Sequence, residues 1–122
     1  MSLGRSGEDY LEAILILYQK TGCVHSVDVA NYMNFSKPSI CHAVKELRKK
    51  GYLQMNDDGS LLLTEKGTLV AEKIYERHRF FTQQLILAGV DPVTAEKDAC
   101  EIEHIISDAS YERLKEIYGK ST

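Results

Sequence analysis

The sequence predicts a mainly α chain in two parts: three helices closed by a β-hairpin, then a further set of helices. Three observations predict it. Apolar residues recur at helical spacing along most of the chain. Ser or Asp precedes several of these runs and Gly follows them, as helix starts and stops demand. Two short apolar runs flank one Asp-Gly turn, which reads as a hairpin.

The first predicted helix covers Glu8 to Lys20. Tyr10, Ala13, Ile14 and Leu17 form its stripe, Leu11 and Leu15 widen it, and Gly22 ends it. Ser26 is the expected N-cap of a second helix from Val27 to Met33. Ser36 caps a third, with Pro38 in the first turn, where N–H groups lack helical partners anyway. That helix runs to about Lys50, with Ile40, Ala43, Val44 and Leu47 inward. Tyr52–Met55 and Leu61–Thr64 are the hairpin strands around Asn56-Asp57-Asp58-Gly59-Ser60. Glu65-Lys66-Gly67 leads into a long helix from Thr68 to about Ala88. Asp91 caps a helix over Pro92–Ser107, and a last helix runs from near Ser110 to Gly119. The division falls at 67/68: residues 1–67 form one domain and 68–122 a helical one. Met1-Ser2-Leu3 is assigned no role.

Three helices with a tight turn between the second and third, followed by a hairpin, is the order of a winged helix-turn-helix. The third helix suits a major groove about 12 Å wide. Its outward residues are Lys37, Ser39, His42 and Lys45, with Lys49 and Lys50 near its far end. Lys and Ser suit phosphate and base-edge contacts, and Lys49 suits the DNA backbone. Net charge is −3, yet five bases against one acid, Glu46, lie between Lys37 and Lys50. The basic run sits in an otherwise acidic chain. The acidic hairpin tip is a poor phosphate binder. Taken alone, a basic run reads more readily as a solvated helix face, and a winged helix also serves as a scaffold.

Metal-capable side chains lie outside this module as well. Asp9 and Glu12 are three apart and share a helix face. Cys100, Glu103 and His104, at i, i+3 and i+4, form one patch. His78 precedes Phe80-Phe81. Each alone reads as an ordinary helix residue, and spacing does not show whether they converge. No run reaches the roughly 18–20 apolar residues of a membrane span, and no signal peptide is visible. Three cysteines without CxxC or a secretion signal fit a reducing, cytoplasmic setting. Walker, GxGxxG, GxSxG and HExxH patterns are absent, which argues against an enzyme, including a metallohydrolase built on His78, Glu103 and His104.

Glu8-Asp9-Tyr10-Leu11-Glu12-Ala13-Ile14, Leu63-Thr64-Glu65-Lys66-Gly67 and Cys100-Glu101-Ile102-Glu103-His104 resemble the DtxR/MntR family of iron- and manganese-dependent repressors. Lys37-Pro38-Ser39-Ile40 is similar, though less diagnostic, and the resemblance runs from about Glu8 to Tyr118. It implies a homodimer formed through the helices after residue 67, and a divalent metal, Mn²⁺ or Fe²⁺, with Co²⁺ or Zn²⁺ accepted in vitro. It also implies metal-dependent repression at a palindromic double-stranded operator. Carried over residue by residue, it implies Asp9 and Glu12 as manganese-type ligands, His78 as a ligand of both types, and Glu103 and His104 as the shared pair. Cys100 matches the iron-type cysteine, where manganese-type members carry Glu, so the set is a hybrid. Thr82 and Glu96 depart from the iron-type second site, and no counterpart of the iron-type SH3-like domain is found. The competing reading is a metal-independent winged-helix regulator sensing a small organic ligand.

Overall fold

The computed structural model describes residues 3–119; Met1 and Ser2 lie outside them. The elements run α1 (Arg5–Thr21), α2 (Ser26–Met33), α3 (Lys37–Lys49), β1 (Leu53–Met55), β2 (Leu61–Leu63), α4 (Glu65–Leu87), α5 (Pro92–Ile105) and α6 (Asp108–Tyr118). Two compact units divide within α4, at Glu72/Lys73.

In the first unit α1, α2 and α3 pack on one another and on the hairpin. Leu11, Ile14, Leu15, Val24, Val29, Ile40, Val44, Leu47, Leu53 and Leu61 are buried there. The α1 stripe is centred one residue later than its periodicity suggested: Leu11 to Leu15 are all buried, while Tyr10 and Leu17 are half-exposed. Ser36 caps α3 as expected, accepting from the Ser39 N–H at 3.3 Å. His25, not Ser26, caps α2, and its own N–H donates to Asp28 Oδ2 at 2.8 Å. The hairpin is antiparallel with Gln54 opposite Leu62, and Gly59 takes φ 86° in its turn, where a side chain would be strained. A further rail flanks it: the Leu61 N–H donates to Val24 O at 2.7 Å.

The joint after the hairpin departs from expectation. Helix α4 begins at Glu65, not Thr68, so Gly67 lies inside its first turn. Thr64 Oγ1 is the reason: it accepts from the Gly67 N–H at 3.1 Å and donates to Gly51 O at 2.6 Å. Thr64 thus caps the helix and ties it to the base of the wing. Likewise α1 starts at Arg5 rather than Glu8, and α6 at Asp108 rather than Ser110, with Ser107 as its cap.

The second unit is held by an aromatic cluster. Phe81, Ala99 and Tyr111 are buried, with Phe80, Ile102, Ile106 and Leu114 packed around them. Phe80 meets Phe81 and Tyr111 edge-to-face, at 5.1 and 5.6 Å between centroids. Arg77 is buried among these groups. It donates to Ile106 O at 2.9 Å, pairs with Asp108 and lies 4.9 Å from the Tyr111 ring. It therefore anchors the α5–α6 turn to α4. Arg77→Met keeps the length and removes these bonds. A charged hydrogen bond contributes about 1.5–3 kcal/mol, so thermal denaturation should show a Tm lower by roughly 5–10 °C; an unchanged Tm would refute the anchoring role.

Burial first, and the hydrogen bond to Glu76 next, push the Tyr111 hydroxyl well above its ordinary pKa of 10.0. Since the folded value exceeds the unfolded one, this contribution is complete below pH 10 and lost as pH rises above it. Tyr111→Phe should lose less Tm than the parent between about pH 9 and pH 11. Equal losses in both chains would contradict this.

Candidate metal centre and nucleic-acid interface

Helix α5 is started by Asp91, which accepts from the Thr94 N–H at 3.0 Å, with Pro92 at its first position. Its buried ridge then follows the i, i+4, i+8 spacing: Ala95, Ala99 and Glu103, each at 0% exposure. Two small apolar residues let α5 pack closely. The third position of the same ridge is a carboxylate, which is costly to bury unless positive charge meets it.

Two imidazoles stand at that carboxylate. His78 Nδ1, from α4, is 3.0 Å from Glu103 Oε2, and His104 Nε2 is 3.3 Å from Oε1. Among the described residues Oε1 takes no hydrogen bond, although the His104 nitrogen is 3.3 Å away. The side chains of His104 and His78 are only 3% and 17% exposed. Cys100, Glu103 and His104 each bring a donor atom within 4.8 Å of the other two. This donor set of two nitrogens, carboxylate oxygens and a thiol fits a divalent transition-metal ion, and such an ion would meet the demand of the Glu103 oxygen.

The structure thus brings together the four residues singled out in the second unit. Asp9 and Glu12 lie in the first unit, on α1, half-exposed and buried respectively; Arg5 Nε is 3.9 Å from Asp9 Oδ2. Glu96, noted in the sequence only as a departure from the iron-type pattern, places Oε1 3.8 Å from His78 Nε2. Its four-residue spacing from Cys100 was the available signal.

On α3, Lys37, Ser39, His42, Lys45 and Lys49 are all exposed, opposite buried Ile40, Val44 and Leu47. Ser39 Oγ accepts from Ser36 Oγ at 2.9 Å, and Lys49 lies 3.7 Å from Glu46. A cleft of about 580 Å³ between α3 and β1 is lined by Lys45, Arg48, Lys49, Gln54, Met55 and their neighbours. Arg48 was visible only as one base of the run. The structure sets its Nη1 3.9 Å from Met55 Sδ, at the turn end of strand β1. The hairpin tip keeps its acids exposed; hydrogen bonds from Ser60 hold the Asp58 carboxyl below its ordinary range.

Two family models match the chain. Residues 2–61 match the N-terminal DNA binding domain of the iron dependent repressor, and residues 64–122 its metal binding and dimerisation domain. An uncharacterized HTH-type transcriptional regulator of Methanocaldococcus jannaschii is 33% identical over 115 residues, covering 93% of this chain and 92% of that one. The transcriptional regulator MntR of Escherichia coli is 30% identical over 108 residues, covering 88% of this chain and 70% of that protein. Among solved structures, the manganese regulator SloR aligns with a TM-score of 0.80 at 27% identity over 98% of this chain. The metal-dependent transcriptional regulator MtsR aligns with a TM-score of 0.84 at 27% identity over 91%. This chain spans about half of those two structures, 55% and 52%. These matches favour neither an enzyme nor a metal-independent regulator of small organic ligands. With DNA-binding and metal-binding, dimerising parts both matched along its length, the chain belongs to the iron-dependent repressor family of divalent-metal-dependent transcriptional regulators.

Proposed function

We propose that the chain is a cytoplasmic, homodimeric repressor that grips a palindromic operator when loaded with Mn²⁺ or Fe²⁺. One observation carries the metal reading: the fully buried Glu103 carboxylate on the small-residue ridge of α5, with two imidazoles at its oxygens. Among the described residues no helix is long and apolar enough to cross a membrane.

His78, Cys100, Glu103 and His104 are the ligands from the second unit, and Asp9 and Glu12 the oxygen donors from α1, as the family resemblance implies. The functional boundary is at 67/68. When bound, the ion supplies a fixed positive centre for these donors. Everything else is done by the protein. Lys37, Ser39, His42 and Lys45 face base edges and nearby phosphates, and Lys49 meets the DNA backbone. Two-fold symmetry sets the two α3 helices about one DNA turn apart. DNA affinity rises to the extent that the ion binds the DNA-competent dimer better than the loose one.

The test is anisotropy on an operator selected from random DNA by the metal-loaded chain. Chelator should weaken binding by about 10–100-fold. Equal binding with and without metal would overturn the proposal.

Metal choice follows from the donors. A thiolate at Cys100 favours Fe²⁺, Co²⁺ and Zn²⁺ over Mn²⁺. Cys100→Glu should shift the ratio of their dissociation constants toward Mn²⁺ by about tenfold or more in competition titrations. An unchanged ranking would mean that sulfur is not a ligand.

A further inference from the structure

Lys45, Arg48 and Lys49 line the cleft between α3 and β1, and among the described residues no acid lines it with them. In the second unit such charges are met: Lys73 and Arg77 by Asp108, Lys115 by Glu76, and Arg113 by Glu116. In the cleft Lys49 has Glu46 at 3.7 Å, but among the described residues neither Lys45 nor Arg48 is in ion-pair contact with a carboxylate. Arg48 is placed by a thioether instead. Met55 Sδ, a weak acceptor, orients the guanidinium without neutralising it. Strand β1 forms the other wall: Leu53 is a buried apolar base, and the Gln54 amide is exposed. The acids of the hairpin tip, Asp57 and Asp58, are not in the lining, and Asp58 is tied back to the Ser60 N–H and hydroxyl at 2.9 and 2.7 Å. Position adds to charge. Lys45 and Lys49 lie on the outward face of α3, and Arg48 is turned about 60° from Lys45 around the helix, toward β1. A helix in a major groove has a phosphate strand along its flank.

We infer that this cleft is a phosphate seat: Arg48 grips one backbone phosphate of duplex DNA at the edge of the groove that α3 reads, with the Gln54 amide as a second donor. The inference rests on the DNA-binding reading above and adds a contact that neither the outward face of α3 nor the acidic tip supplies. A guanidinium is a planar fork of N–H donors that meets two phosphate oxygens at once, which an ammonium cannot do. The wing therefore engages DNA along β1, short of its tip, and fixes how far α3 rolls in the groove. Two-fold symmetry gives the dimer two such contacts. Phosphates carry no base identity, so Arg48 and Gln54 strengthen binding to operator and to unrelated duplex alike.

The test is anisotropy on the full chain at saturating Mn²⁺, against the selected operator and a scrambled duplex, over a series of KCl concentrations. Arg48 and Gln54 are exposed, so their variants keep the core intact. Arg48→Gln should reduce the steepness of log K against log salt by about 1.8, at about 0.9 for each of two phosphates. At fixed salt it should weaken both duplexes by about tenfold or more. Arg48→Lys keeps the charge, so the slope should hold while affinity falls a few-fold with loss of the fork. Gln54→Glu sets a carboxylate in the seat and should weaken both duplexes. Arg113→Gln, on α6, is the matched control and should keep the parent slope. A parent-like slope in Arg48→Gln, or a loss confined to the operator, overturns the phosphate seat. Metal dependence is read separately, from the parent with and without chelator. A parent that ignores chelator overturns the metal-dependent regulator, while the Arg48→Gln slope still decides the seat. A parent that binds neither duplex overturns both.

Discussion

Glu103→Ala should remove metal-responsive DNA binding while leaving the metal-free chain folded. The wild-type chain gains stability from any ligand bound only by the native state, about 2.7 kcal/mol at a metal concentration 100 times Kd. For a chain of this size that is a Tm increase of roughly 10 °C. In Glu103→Ala the increase should vanish at the same metal concentration, because a direct ligand is lost and affinity falls by more than about 100-fold. The metal-free Tm should barely change, or should rise. Removing a buried carboxylate also removes its desolvation cost, and the imidazoles left behind can be neutral. A purely structural Glu103 predicts the reverse: a lower metal-free Tm with the metal response retained. Differential scanning calorimetry with and without Mn²⁺ or Fe²⁺ separates the two.

Gly67→Ala should be severely destabilising, against the expectation from helix propensity. Inside a helix, Gly to Ala ordinarily gains about 1 kcal/mol. Here a Cβ would lie 2.1 Å from the Tyr52 carbonyl oxygen and 3.0 Å from its carbon. That carbonyl cannot retreat freely, since it accepts from the Thr64 N–H at 3.1 Å, and Thr64 itself caps α4. Lys66 reinforces the junction, its Nζ donating to Lys50 O at 3.0 Å and lying 4.3 Å from the Tyr52 ring centre. Forcing an atom into so tight a contact costs about 3 kcal/mol or more, a Tm loss of roughly 10 °C. Urea unfolding of Gly67→Ala measures it, and a stability equal to or above wild type would show that the junction yields.

The sequence displayed Glu103 as a candidate ligand but not its burial, and it displayed Gly67 without its constraint. It reads Glu65-Lys66-Gly67 as a lead-in to a helix from Thr68, which places the start of α4 three residues too late. The actual constraint on Gly67 is the Tyr52 backbone, fifteen positions away and invisible to local patterning. Arg77 carried no signal at all: a charged residue in a helix defaults to the surface, and only the approach of Ile106 and Asp108 makes it an anchor. The candidate metal patch was half legible. Helical spacing put Cys100, Glu103 and His104 on one face, but the meeting of His78 with Glu103 depends on how α4 and α5 pack.

The sequence by itself determined what is decided within a turn or two of chain. That covers the order of the elements, the caps at Ser36 and Asp91, the hairpin, and the division of α3 into an apolar face and a basic one. Such features rest on interactions between neighbours three or four residues apart, so the local pattern encodes them. Tertiary structure alone decided that Glu103 is wholly buried, that Glu96 lies beside His78, and that Arg77 closes the α5–α6 turn. Those contacts join residues far apart in the chain, and their existence depends on which surfaces pack to exclude water, a property of the assembled fold rather than of any stretch of it.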